Sequence, residues 1–457
     1  MAQARQTKMK SAYSLPVIQP DAAGVDVGAR QIHVAVSAER DPEPVRTFET
    51  FTRDLVAIAD WLTSRGIRSV AMESTGVYWI PLYQYLESRG FEVLLVNANE
   101  VKKVPGRKTD VADAAWIQLL HAVGLLRSSF RPSEQVCAIR ALVRHRQNLV
   151  ESASQCILHL QKALTQMNLQ LHNVISDISG ATGMRILHAI LEGQRDGEYL
   201  AGLCDPGISA SREVIVKSLE GDYRREFLFI LRQTLEQYED LQKRIGACER
   251  EAAQLLDELP ARVDPVEKPL PPPRSRVKRK ASMPAPVADL REKQYRIFGV
   301  DLTTVPCINT GTVEVLAAEV GPDLSAFPNA SSFASWLGLP PNNKVTGGRR
   351  FSSKTRKVKS RLANALRMAA QTAAHDESAI GEFYRRMRAR LGPEKAITAT
   401  AHKLARVLYH MITTQQPYDE SVFVKAHEKL RAHQEAKLRA SAQKLGFRLL
   451  PATGTVS

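Results

Sequence analysis

Cysteine is scarce and scattered. The five in 457 residues (Cys137, Cys156, Cys204, Cys248, Cys307) stand at least 19 positions apart, with no CxxC pair and no histidine-rich partner cluster. That excludes a disulfide scaffold or a zinc finger and suits a reducing compartment. No apolar run approaches membrane-spanning length. The opening MAQARQTKMKSAYSLPVIQP is polar and basic, without the apolar core of a signal peptide. A soluble cytoplasmic protein with no membrane partner is expected. Aromatics are only 6%, yet the hydrophobic fraction of 44% is enough for ordinary cores, which excludes a disordered or collagen-like chain. Acids are also in deficit, with 48 Asp and Glu against 63 Lys and Arg and a net charge of +15. A polyanion is the expected partner, nucleic acid before membrane, which would associate the protein with the nucleoid.

The excess charge is local. Between Pro340 and His410 there are 16 Lys and Arg against 4 Asp and Glu, a balance of +12. A bias for solubility would be diffuse, so this stretch reads as a contact surface. The set Lys344, Arg349, Arg350, Lys354, Arg356, Lys357, Lys359 and Arg361 has no acid among it. It is the expected phosphate-contact surface, joined by Arg385, Arg386, Arg388 and Arg390.

Length predicts two to three domains. Over residues 20–128 strand and helix patterns alternate: GVDV, QIHVAV and VRTFETF as strands, a helix over Arg53–Ser64, the strand IRSVAME, a helix over Ile80–Ser88, the strand FEVLLVN, and a helix from about Thr109 to Leu125. Three strands in meander followed by alternating helices and strands is the order of the ribonuclease H-like (RuvC-like) α/β fold. Residues 132–259 read as a coiled-coil helical arm. Val150, Ala153, Ile157, Leu160, Leu164, Met167 and Leu171 form one run, and Leu231, Leu235, Tyr238, Ile245, Cys248, Ala252 and Leu255 a second. Their pairing, within one chain or between chains, is left open by the pattern, and assembly is the expected use. Residues 260–292 form a linker, since Pro260 to Pro286 holds 8 of 24 prolines and the run RSRVKRK. Residues 297–415 read as a compact, mostly helical basic domain, and 416–457 as a charged helical and then disordered tail.

Phosphodiester chemistry with hard divalent ions needs several carboxylates converging on one spot. Asp26 lies in the first strand, Glu73 ends the fourth, and Asp110 and Asp113 open the last helix, three apart and so on one face. Singly, each is weak evidence, since Asp110 reads as well as a helix cap, Asp26 as a turn residue and Glu73 as an exposed strand end. In this order on this fold, the four form a candidate metal site. The hairpin GVDVGARQIHVAV is also similar to the phosphate grip of actin-like ATPases and sugar kinases. Those folds need a second such half, which the rest of the chain does not supply.

The blocks GVDVGA, MESTGVYW, KTDVADA and ASWLGLPPNNKVTGG with KTRK after it resemble the insertion-sequence transposases that pair a RuvC-like DEDD domain with a C-terminal transposase domain, described as bridge-RNA-guided recombinases. The resemblance covers nearly the whole chain. It implies that Asp26, Glu73, Asp110 and Asp113 bind Mg²⁺ (or Mn²⁺), that double-stranded DNA and a structured guide RNA are partners, and that the protein acts as a homo-oligomer, a dimer or tetramer. It also implies a hydroxyl nucleophile in the C-terminal domain that links covalently to DNA. In the register of Gly338, Leu339 and Pro340 that position is Thr346, with Ser352 and Ser353 as competitors. VPCINTGT (Val305–Thr312) stands where the family carries a glycine-rich helix-hairpin-helix turn, of which Gly311 remains. Two other functions fit the same residues: a metal-dependent junction resolvase that attacks with water, and a non-catalytic nucleic-acid organiser.

Overall fold

The computed structural model describes residues 16–74, 76–97, 110–273 and 289–447. The chain divides into two compact units, one ending at Arg131 and the other starting at Pro132.

The first unit is built on a five-stranded sheet. The strands β1 (Ala22–Val27), β2 (Gln31–Ala35), β3 (Val45–Glu49), β4 (Ser69–Glu73) and β5 (Glu92–Val96) lie in the order β3-β2-β1-β4-β5. β1, β2 and β3 form an antiparallel meander, while β1–β4 and β4–β5 are parallel. The crossover helices α1 (Thr52–Ser64) and α2 (Trp79–Ser88) supply those parallel connections. Alternation along each strand sends Val25, Val27, Val34, Val70 and Met72 into one core with Leu55, Ile58, Leu62, Leu82 and Leu86 of the two helices. The opposite face carries Ala71 and Val96, covered by Ile117 of α3 (Asp110–Ala122). The ribonuclease H-like order is thus realised, each element within a few residues of its expected bounds.

The second unit is helical but for one hairpin among its described residues. Two long helices, α4 (Glu134–Gln166) and α8 (Arg225–Glu258), pair antiparallel within the chain. Leu160 and Leu164 meet Leu231 and Leu235 toward one end, and Ala153 and Cys156 meet Tyr238, Leu241 and Ile245 further along. The buried stripe departs from the expected heptads at both ends. Val150 is exposed, and Leu256 rather than Leu255 is buried in α8. Between the long helices in sequence, α5 (Ala181–Leu191), α6 (Gly197–Gly202) and α7 (Arg212–Ser218) pack Ile186, Leu187, Leu200 and Ile215 into the same core.

The start of α4 is fastened to α10 (Thr310–Glu319), which follows α9 (Leu290–Phe298). Arg140 donates to the carbonyls of Ala318 and Glu319, at 3.2 and 2.7 Å, where the last turn of α10 leaves acceptors open. Arg144 grips the Glu319 carboxylate with two hydrogen bonds of 2.9 and 2.7 Å. Arg146 reaches the buried Glu314 at 2.7 Å. Before α10 the VPCINTGT turn holds Cys307 at φ +70°, a region that favours glycine, and Asn309 caps the helix through the Thr312 amide at 2.9 Å. Beyond α11 (Ala330–Trp336), the strands β6 (Lys344–Thr346) and β7 (Arg349–Ser352) form a hairpin, and α12 (Arg361–Thr372), α13 (Ala379–Leu391), α14 (Pro393–Thr414) and α15 (Ser421–Lys444) complete the unit. The RSRVKRK run lies outside the described residues. No helix among the described residues is long and apolar enough to cross a membrane.

Candidate metal site and nucleic-acid interface

The geometry around the acids begins with Gly24. A Cβ there would lie 2.2 Å from the Gln118 amide nitrogen and 2.4 Å from the Ala114 carbonyl oxygen, so α3 rests on β1 with no room for a side chain between them. The direction of α3 is fixed by contacts toward its far end. Gln118 donates to the Ala22 carbonyl at 3.4 Å, His121 Nε2 meets the Ser69 hydroxyl at 2.8 Å, and the Ala122 carbonyl accepts from Ile18 and Gln19. Ser69 and Ala22 are register partners at the amino ends of β4 and β1. The helix therefore runs antiparallel to both strands and sets its N-terminus at their carboxyl ends.

Asp26 and Glu73 lie at those carboxyl ends. Val25 pairs with Met72, so Asp26 and Glu73 are neighbours one step on. Both follow by two positions a residue that faces α3, Gly24 and Ala71 respectively, and alternation puts them on that face. Asp26 stands about 6–7 Å beyond Gly24 along the strand. Asp110, four residues before Ala114, stands about 6 Å along the helix in the same direction. Asp113 is adjacent to Ala114 and half-buried, as are Asp26 and Glu73. The backbone thus brings the four acid positions to one end and one face of the sheet. Of the Asp110 side chain nothing is described, and among the described residues no three acid, histidine or cysteine side chains are already gathered as a metal-holding group. Carboxylate oxygens are nonetheless the donors that a hard divalent ion takes, so the residues present fit Mg²⁺ or Mn²⁺.

Sequence reasoning missed His33. It is the register partner of Asp26 on β2 and of Thr47 on β3, with Nδ1 3.0 Å from the Thr47 hydroxyl. A polar row, Glu73, Asp26, His33 and Thr47, thus crosses four strands at one level. Alternation within QIHVAV carried the signal, because Ile32, Val34 and Val36 share one face and His33 is thereby placed on the other, the face of Asp26.

In the second unit the hydroxyl candidates and most of the basic set share the β6–β7 hairpin and the segment after it. Gly347 and Gly348, at φ +56° and +75°, form its two-residue turn, the conformation that suits the twist of a tight hairpin. Thr346 is exposed and pairs with Arg349; Ser352 is half-buried and its hydroxyl accepts from the Lys354 amide at 3.3 Å; Ser353 is exposed. Lys344, Arg349, Lys354, Arg356, Lys357, Lys359 and Arg361 are exposed, and Arg350 lies in β7. Arg356 is partly engaged, donating to the Ser335 carbonyl.

The conspicuous ASWLGLPP block anchors this hairpin. Gly338 closes α11 at φ +68° and lies so close to Val358 that a Cβ would come within 2.7 Å of its methyl. Asn342 donates to the Lys354 carbonyl at 3.1 Å, and Pro341 bridges Thr355. The hairpin itself is absent from the expectation of a mostly helical domain, although Gly-Gly between Val-Thr and Arg-Arg-Phe is its signature.

Two comparisons bear on the whole. Residues 23–169 match a transposase family model of the DEDD, IS110 type, and residues 301–385 match the model described as Transposase IS116/IS110/IS902 family. The first stretch contains all four acids, and the second all three hydroxyl candidates and the eight basic residues from Lys344 to Arg361. No curated protein matches the chain.

Proposed function

The chain belongs to the IS110 family of transposases, and from that premise we propose that it breaks and rejoins DNA strands at a divalent-metal site held by Asp26, Glu73, Asp110 and Asp113, with a hydroxyl of the β6–β7 region as nucleophile. The observation that supports this most is the docking of α3 on Gly24, which directs the helix start carrying two of the acids toward the strand ends carrying the other two. Bound there, Mg²⁺ or Mn²⁺ would supply charge stabilisation to the oxygens of the transferring phosphate. Asp26 and Glu73 hold the rigid side of the site, since both are set by strand register. Asp110 and Asp113 complete it from the helix.

The hydroxyl oxygen of Thr346, Ser352 or Ser353 attacks phosphorus as its proton leaves. One phosphate–oxygen bond forms to the protein while one breaks in the DNA, and the departing DNA oxygen takes up a proton. The phosphoester is conserved through the exchange, so rejoining needs no added energy source. Exposed Lys344, Arg349 and Lys354 hold the DNA backbone near these hydroxyls. Phosphate contacts carry no sequence information, which supports delegation of target choice to base pairing with a structured guide RNA. Two duplexes must be held together, which supports action as a homo-oligomer, a dimer or tetramer.

Purified protein, Mg²⁺, guide RNA and DNA bearing the element ends test this together. Asp26→Asn and Glu73→Gln should each lower strand cleavage by about 10²–10³-fold, the loss typical of one charge-stabilising group at a reacting centre. A denaturant-stable protein–DNA adduct should form and should vanish on replacing one of Thr346, Ser352 or Ser353 with alanine. Cleavage without any adduct would instead identify a resolvase attacking with water.

A further inference from the structure

Phe351 is out of place for a structural residue. It is 83% exposed, and Val345 across the hairpin is 60% exposed, in a chain whose other large side chains mostly pack. The register explains how it is presented. Thr346 pairs with Arg349 and Val345 with Arg350, but Lys344 pairs with Ser352, so Phe351 is the extra residue of a bulge. A bulge bends the strand and re-aims a side chain. The ribbon ends in Gly347 and Gly348, and a Cβ on either would meet nothing within 4 Å, so the tip is slim and open.

Its surroundings define what it can meet. From Leu324 to His375 the sequence contains nine Lys and Arg and not one Asp or Glu. An apolar partner protein would gain nothing from a ring set among so many cations. A nucleic acid would, because phosphates engage the cations while a base offers its flat face to the ring. Two-stranded ribbons fit DNA grooves, and apolar side chains on such elements wedge into base steps.

We propose that the β6–β7 ribbon is a DNA-distorting element and that Phe351 stacks on a base at an opened step of the duplex, with Lys344, Arg349 and Lys354 holding the flanking phosphates. This rests on the reading of the chain as a DNA-binding transposase, but not on which hydroxyl, if any, attacks.

The test uses the full chain and synthetic 30-base-pair duplexes, one intact and one with a central mismatch. The wild type should prefer the mismatched duplex, in which the step opens at lower cost. Phe351→Ala should weaken binding by about 5- to 150-fold, the range of one lost base–aromatic stack, and leave the slope of log affinity against log salt unchanged. Arg349→Ala should lower that slope by about one. Phe351→Trp should restore binding, whereas Phe351→Leu, apolar but without a ring, should bind as weakly as alanine. Because Phe351 is exposed, none of these changes should shift thermal unfolding. Equal binding by wild type and Phe351→Ala, full binding by Phe351→Leu, or a loss seen on single-stranded RNA but not on either duplex would each overturn the proposal. Failure of the wild type to bind any duplex would instead bring down the transposase reading beneath it.

Discussion

Gly24 shows how one missing side chain can set the approach of a helix to a strand. The approach of α3 to β1 is limited by backbone on both sides, with the Gln118 nitrogen and Ala114 oxygen inside any Cβ's contact distance. Gly24→Ala must push the helix off the strand, and with it Asp110 and Asp113, though no acid is altered. We expect a fall in stability of about 2–3 kcal/mol, of the order of an overpacked core, and a loss of metal-dependent cleavage as deep as that of Asp26→Asn. Chemical denaturation and a cleavage assay on the same preparation check both. At the other end of the helix, burial holds the His121 imidazole below its ordinary titration range, and it meets Ser69 in the neutral form. Protons are then bound more readily by the unfolded chain, so stability is fully present above about pH 6.5 and is lost as pH falls below it. His121→Gln should flatten the dependence of thermal unfolding between pH 7 and 5. Neither residue was legible in the sequence, because Gly24 reads as one more residue of the strand GVDV and His121 as one histidine in a helix. Their meaning lies in what the sheet presses against them. The placement of the acids on their elements was legible, since strand ends and a helix start are positions that periodicity alone locates.

Among the elements, the long helices were found from their repeats, and their partner was not. A heptad stripe states that a helix has a partner without naming it. The pairing of α4 with α8 within the chain is direct, and α5, α6 and α7 add to its core short apolar faces too weak to stand out in the sequence. The β6–β7 hairpin went unrecognised for a related reason. Its strands are three and four residues long and cationic, so the alternation that marks a half-buried strand is missing. The junction of α4 with α10 is ionic and largely buried. The side chain of Glu314 is 5% exposed and that of Arg146 is 20% exposed. Burial pushes the Glu314 carboxyl up, while Arg146 draws it down. Arg146→Met should therefore leave a buried carboxylate without its nearest cation and cost about 3–5 kcal/mol, and adding Glu314→Leu should recover most of that loss. Urea unfolding of the single and double variants measures the difference.

On the scale of the whole molecule, two kinds of chemistry are kept in separate units. Carboxylates sit on the sheet of the first, and cations and hydroxyls sit on the hairpin of the second. The division suits the functions proposed for each, because a metal site would need acids fixed by rigid strand register, whereas a polyanion would need an open surface free of acids. Charge distribution announced it from the outset, with +12 of the net +15 falling between Pro340 and His410. What composition could not convey is the bulged ribbon on which those cations are mounted. The decisive issue is whether the four acids hold an ion at all. Titration of Mn²⁺ into the full chain, followed by the loss of its free electron paramagnetic signal, reads this directly without DNA or turnover. Saturable uptake by the wild type, abolished by alanine at Asp26, Glu73 or Asp110 in variants of unchanged helix content, is the expected result. Identical uptake by the wild type and all three variants would contradict it.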